Sequence, residues 1–271
     1  MKFGVVISCP DVRYGPLALL SGTFADKVAR ARALGYHGVE LMVRDPSTLD
    51  AGEILAVLQE NELEVAQVVT GELFGADGLS LVAPSPDLVQ RARQRIADVI
   101  AFAARFGAQV NLGRFRGRVD ALPTPEQGHA AMLERIGEVA DLAAAQGIRV
   151  TLEPLNRYEC DFVHSEQDGI RFVGELGRRN LGLMLDLFHM NIEDHSIEGS
   201  LEETVAAGLL WHVHVADSNR RYPGSGHLDI PAAWRTLKRC GYVGYLSAEL
   251  LPLPDPDTAA ERTIAYLRGL V

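Results

Sequence analysis

Residues 126–153 read EQGHAAMLERIGEVADLAAAQGIRVTLE. From 126 to 146, Ala, Leu, Ile and Val recur at helical spacing among Glu, Arg and Asp, the pattern of an amphipathic helix. Gly147 follows at the position where a left-handed C-cap ends a helix. The chain then turns β-branched and apolar, and the run closes on the carboxylate Glu153. A helix, a capping glycine and a short buried strand form one module. The module recurs in both directions. Strands are expected at 3–9, 38–43, 64–70, 109–113, 148–153, 181–186, 210–216 and 244–249. Helices are expected near 23–34, 49–61, 86–106, 126–146, 166–178, 198–207, 230–240 and 257–269. Gly35 and Gly107 sit at the same capping position as Gly147. Strand–helix units repeating at about 30 residues point to a parallel (β/α)₈ barrel, a TIM barrel, with residues 1–271 as one domain. An open doubly wound sheet would carry a glycine-rich phosphate loop after its first strand. Here that loop reads Ser8-Cys9-Pro10-Asp11-Val12.

Composition narrows the function. The chain has 271 residues, of which 47% are hydrophobic, enough for a large core, and a formal net charge of −10. An acidic chain lacks the basic footprint of phosphate-backbone binding, so no nucleic-acid partner is expected. The start, MKFGVVISCPD, holds too short an apolar run for a signal peptide or a membrane span, so the expectation is a cytoplasmic protein with no membrane partner. Cys9, Cys160 and Cys240 are widely spaced, which favours neither a disulfide framework nor a thiolate metal site.

In such barrels the chemistry gathers at the carboxyl ends of the strands. The expected strands end in Glu153, Asp186 and Glu249, and the seventh carries His212 and His214 on one face. Carboxylates sharing a cavity repel one another unless a cation lies among them, so one bound divalent metal is expected and no organic cofactor. Oxygen ligands with one imidazole suit a hard ion: Mn²⁺ first, with Mg²⁺, Co²⁺ or Zn²⁺ as alternatives. One histidine suffices as ligand, and His212, deeper in the strand, reads as its support.

Four ordered segments, TLEPLNRYE (151–159), LDLFHMNIE (185–193), HVHVADSNR (212–220) with PGSGHLD (223–229), and SAELLP (247–252), resemble the xylose isomerase-like barrel superfamily and its ketose 3-epimerase branch. VRDPS at 43–47, ADGLSL at 76–81, RGR at 116–118 and ELLPLP at 249–254 extend the likeness to the bacterial 5-keto-L-gluconate epimerases of inositol catabolism. The resemblance implies Glu153, Asp186, His214 and Glu249 as metal ligands. It further implies Glu153 and Glu249 as the acid–base pair, and Glu159, His189 and Arg220 as contacts to the sugar's carbonyl and hydroxyls. The pairing makes chemical sense, because inverting a carbon through a planar enediolate requires a proton to leave one face and return on the other. The expected partner is a small-molecule ketose or keto-sugar acid. Close relatives in this branch are often dimers or tetramers, which leaves room for a homo-oligomer.

A sugar acid would need a cation for its carboxylate, and Arg44, Arg114, Arg116 and Arg118 are the candidates in the loops after the second and fourth strands. Phe74 and Leu79 are candidates for an apolar wall over the site. The alternatives are an aldose–ketose isomerase of the hydroxypyruvate or sugar-phosphate type, an abasic-site endonuclease and a non-catalytic sugar-binding protein. A phosphate-binding version would want an anion nest, and only Gly224 and Gly226 suggest one. The endonuclease would want histidines after the second and third strands, where this chain has Arg44 and Thr70-Gly71-Glu72.

Overall fold

A computed structural model describes residues 1–271. Its strands are β1 (Lys2–Ser8), β2 (Gly38–Met42), β3 (Glu64–Val69), β4 (Gln109–Leu112), β5 (Val150–Leu152), β6 (Leu181–Asp186), β7 (Leu210–Val215) and β8 (Tyr245–Ala248). All pair in parallel with their sequence neighbours, and β8 returns to β1 to close the barrel. Closure draws Gly4 of β1 against Ser247 of β8. A Cβ on Gly4 would lie 2.1 Å from Ser247 Oγ, so any larger residue at this seam must first displace that hydroxyl. The expected (β/α)₈ barrel is the fold.

Helices α1 (Phe24–Leu34), α2 (Ala51–Glu60), α3 (Gly71–Gly75), α4 (Pro86–Ala104), α5 (Pro125–Ala145), α6 (Glu166–Leu176), α7 (Leu187–Glu193), α8 (Ile197–Ala206), α9 (Ile230–Arg239) and α10 (Pro256–Arg268) form the outer shell and the loops at the strand ends. Their ends are set locally. Thr23 with Asp26 and Ser165 with Asp168 make capping boxes at α1 and α6, and Gly35 and Gly177 close the same helices in the left-handed region. No helix is long and apolar enough to cross a membrane. The seven-residue α7 and five-residue α3 were not expected. Each is too short to show helical periodicity, and each comes directly after a strand end, where the sequence reads as loop.

The core has two parts. Apolar side chains such as Val39, Leu41, Val213 and Val215 pack between sheet and helices. The space inside the barrel is polar instead. Glu40, Gln67, Asn111, Thr151, His212 and His214 are all buried, and several bond to one another across the strands. A TIM-barrel interior is ordinarily filled by branched apolar layers. A hydrogen-bonded polar column here carries charge up to the strand ends.

Candidate active site

Glu153 lies one residue beyond β5, Asp186 ends β6, His214 lies near the end of β7 and Glu249 follows β8. One ligand-type atom from each comes within 4.8 Å of the others. The fold positions them by ordinary means. Asp186 also caps α7, its Oδ1 accepting from Phe188 N at 2.9 Å, and so its Oδ2 is turned inward. Glu153 Oε1, Asp186 Oδ2 and His214 Nδ1 are buried without a hydrogen-bond partner. Buried polar atoms are nearly always paired, and three such atoms converging from different strands mark a place for a cation. Three carboxylates and one imidazole fit a hard divalent ion.

The protonation pattern of the ion-free cluster agrees. Burial, with the neighbouring Glu249 charge, pushes Glu153 up to about 8. Burial raises Asp186 to about 6 against the pull of Arg220 and His214. Burial would raise Glu249 as well, but His214 and Arg220 outweigh it and hold that carboxyl at about 2. One carboxylate of the group therefore keeps a proton to relieve repulsion, the place a cation's charge would take.

Over the cluster stand His189, Arg220 and Glu159. Tyr158 N donates to Asn156 Oδ1 at 3.0 Å, which turns the Asn156 amide nitrogen toward His189 Nδ1 at 2.7 Å. His189 Nδ1 is thus the acceptor, and its Nε2 carries the hydrogen. Nε2 is buried without a partner, 3.8 Å from Glu153 and 3.7 Å from Asp186. Burial and the nearby Arg220 keep this ring neutral, a donor aimed into the cavity. Arg220 stacks over Phe188 at 4.9 Å and bonds Glu159 at 2.6 Å, with Glu249 at 3.4 Å. Its backbone is left-handed, φ 58°, held by Asp217 O and Leu251 N. The 217–228 loop wraps around the Asp217 carboxylate, which accepts from Ser218 N, Gly224 N and Leu228 N. A Cβ on Gly226 would meet Asp217 Oδ1 at 2.2 Å, so glycine is required for the wrap. The Gly224 amide that could have bound phosphate is occupied by the chain's own carboxylate.

The comparisons with known proteins bear on this geometry. Residues 28–270 match the family model for the xylose isomerase-like TIM barrel. The chain belongs to that family. It is 30% identical to the ketose 3-epimerase of Arthrobacter globiformis over 219 residues, covering 80% of this chain and 74% of that one. It is 32% identical to the 3-dehydro-D-guloside 4-epimerase of Escherichia coli over 258 residues, 90% and 93% of the two chains. In fold it is similar to the D-allulose 3-epimerase of Methylomonas sp., with a TM-score of 0.81 at 23% identity over 100% of this chain and 98% of the other. As a member of the xylose isomerase-like family with such relatives, the chain is a carbohydrate epimerase or isomerase.

Within this family member, the four candidate arginines separate. Arg116 is fully buried. Its guanidinium donates to the carbonyls of Gly113, Glu153, Phe162 and Val163, so it holds the β4 and β5 loops together and is out of a substrate's reach. Arg118 pairs with Asp120 at the surface, 2.7 Å away, and does not line the cavity. Those two expectations are corrected. Arg44 is clamped by Asp77 at 2.6 Å on the rim. Arg114 lines the cavity itself, stacks on Phe74 at 5.6 Å and comes no nearer than 4.0 Å to Glu159. Leu79 is buried in the core, and Phe74 lines neither cavity, touching the site only through Arg114, which stacks on it.

Several residues were missed from sequence. Glu72 and Pro16 join the expected Arg114 at the seam between the inner cavity and an outer chamber of about 390 Å³ that also borders Arg13, Tyr14 and Arg44. Asn156, which orients His189, sits inside the segment that carried the resemblance but was given no role. Glu40 offered the clearest signal: a carboxylate flanked by Val39 and Leu41 in a strand otherwise apolar.

Proposed function

We propose that this protein is a divalent-metal-dependent epimerase that inverts the carbon beside a ketose carbonyl, acting on a keto-sugar acid of the 5-keto-L-gluconate type, as in inositol catabolism. The observation that carries the reading is the convergence of buried, partnerless atoms on one cavity: Glu153 Oε1, Asp186 Oδ2, His214 Nδ1, His189 Nε2 and Arg220 Nε. Glu153, Asp186, His214 and Glu249 would hold the metal, with Mn²⁺ the first to test. When bound, such an ion supplies Lewis acidity, drawing charge from a ketone oxygen and the hydroxyl beside it. Glu153 and Glu249 approach from β5 and β8, so a substrate carbon between them can lose its proton to one carboxylate and regain one from the other on the opposite face. His189 Nε2–H and the Arg220 guanidinium would donate to the oxygens that gain charge in the planar enediolate. Glu159, bonded to Arg220, keeps that guanidinium in place and offers an acceptor to a substrate hydroxyl.

Support for an acidic substrate comes from Arg114, whose guanidinium approaches Glu159 only to 4.0 Å where the inner cavity meets the outer chamber and so keeps donors for a substrate carboxylate. A six-carbon chain with its ketone at the metal would carry a terminal carboxylate toward that seam. The sugar-phosphate reading loses support, because Asp217 occupies the only candidate anion nest. The experiment is product analysis: Mn²⁺-loaded protein is incubated with 5-keto-L-gluconate and with a panel of neutral ketoses. The expected product is the epimeric keto acid, formed fastest from the acidic substrate. An aldose product, or no conversion of any ketose, would overturn the reading.

A further inference from the structure

Beneath the carboxylate cluster lies a second group of ionisable side chains, which shares His214 with it and adds two, Glu40 and His212, for which the chemistry above has no use. Glu40, His212 and His214 are all essentially inaccessible to solvent. Glu40 Oε1 lies 2.7 Å from His212 Nε2, and its Oε2 lies 3.0 Å from His214 Nε2. Gln67 Nε2 adds a third donor to Glu40 Oε2 at 2.7 Å. None of the atoms in these contacts is left without a partner, in contrast to the cluster above, where His214 Nδ1 is. The lower group is therefore closed by its own hydrogen bonds and has no vacant donor set for a second ion.

We propose that Glu40 is a positioning residue: by accepting from His214 Nε2 it fixes the ring so that Nδ1 is presented to the cation, while His212 and Gln67 hold Glu40 in place. The inference rests on the metal reading of Glu153, Asp186, His214 and Glu249. An imidazole with its Nε2 hydrogen committed to a carboxylate has its lone pair on Nδ1, and the carboxylate makes that nitrogen a stronger donor. Glu40 also carries a negative charge one imidazole ring away from the ion. Its place in the middle of β2, between Val39 and Leu41, gives it no route to the substrate cavity, so it acts through His214 alone.

Two readouts test this without reference to turnover. Metal affinity is measured by calorimetric titration of the chelator-stripped protein with Mn²⁺, for the native chain and for Glu40→Gln, alongside the melting temperature of each metal-free form. Glu40→Gln is expected to weaken Mn²⁺ binding by about 10- to 100-fold, with the metal-free melting temperature lowered, since His212 and His214 lose the charged acceptor they share. Unchanged affinity, or a binding stoichiometry of two ions in the native chain, would overturn the proposal. The second readout needs no variant and so stands even if Glu40→Gln fails to fold. In the Zn²⁺-loaded native protein, nitrogen NMR of the imidazoles is expected to find His214 bound through Nδ1 with hydrogen on Nε2, and binding through Nε2 would overturn the proposal. Failure of the native chain to bind any divalent ion would instead remove the metal reading on which the proposal rests.

Discussion

At the scale of single residues, like side chains are sorted by what surrounds them. Glu153 and Glu249 are both buried carboxylates, yet one is raised and the other held low, because Glu249 alone contacts Arg220 and His214 closely. Replacing either by Gln keeps the shape and removes the proposed base. Each of Glu153→Gln and Glu249→Gln is expected to lower kcat by about 10²- to 10⁴-fold with circular dichroism unchanged, as steady-state kinetics would record. The arginines make the same point. Arg114→Met is expected to raise KM for a keto-sugar acid by about 10- to 100-fold while leaving neutral ketoses and the melting temperature alone. Arg116→Met should do the reverse. Its loss leaves the carbonyls of Glu153 and Phe162 without an N–H donor, while Gly113 O and Val163 O keep backbone partners, so thermal denaturation should register a destabilisation of about 3 kcal/mol or more. In the sequence these residues are near neighbours in one arginine-rich loop. Only the tertiary course of 114–118, folding Arg116 inward against 160–163, separates them.

Elements are governed by what lies at their ends. The clustering of the candidate residues of β5 to β8 was legible because each strand is a short apolar run with a polar side chain at or near its end, and parallel pairing carries all such ends to one mouth. The segments just past the strands were less legible. α7 begins beside Asp186, the same residue that faces the cluster, and its single pair of turns leaves no periodic signature. Beyond it, Asp194 meets Glu166 at the start of α6. Burial and the Glu166 charge push Asp194 up to about 7 from an ordinary 3.8. The folded protein there retains a proton that the unfolded chain has released. The contribution of this pair to stability is thus greatest below about pH 4 and declines as pH rises toward 7. Asp194→Asn is expected to flatten that decline, which melting temperatures measured from pH 4 to 8 would detect.

For the whole molecule, the repeating helix–glycine–strand module made the barrel readable, because a capping glycine is a local feature and the alternation of apolar runs survives any tertiary context. The polar interior was not readable in the same way. Glu40 and Gln67 sit in strands whose neighbours are apolar, and only closure of β8 on β1 brings β2 and β3 across from β7. The partnerless carboxylate atoms at one end of the barrel are where the proposed cation would act. Saturating Mn²⁺ is therefore expected to raise the melting temperature by several degrees, in keeping with about 2.7 kcal/mol at a hundredfold excess over Kd, and a chelator should reverse the gain. Differential scanning with and without chelator measures it. The proposed chemistry comes down to one event: a proton leaves and returns at the carbon beside a ketone, between Glu153 and Glu249. NMR of a keto-sugar acid incubated in D₂O with the Mn²⁺-loaded protein observes that event directly. Deuterium is expected at that one carbon in both epimers, abolished by Glu153→Gln and by Glu249→Gln, whereas no deuterium there across acidic and neutral ketoses would contradict the assignment.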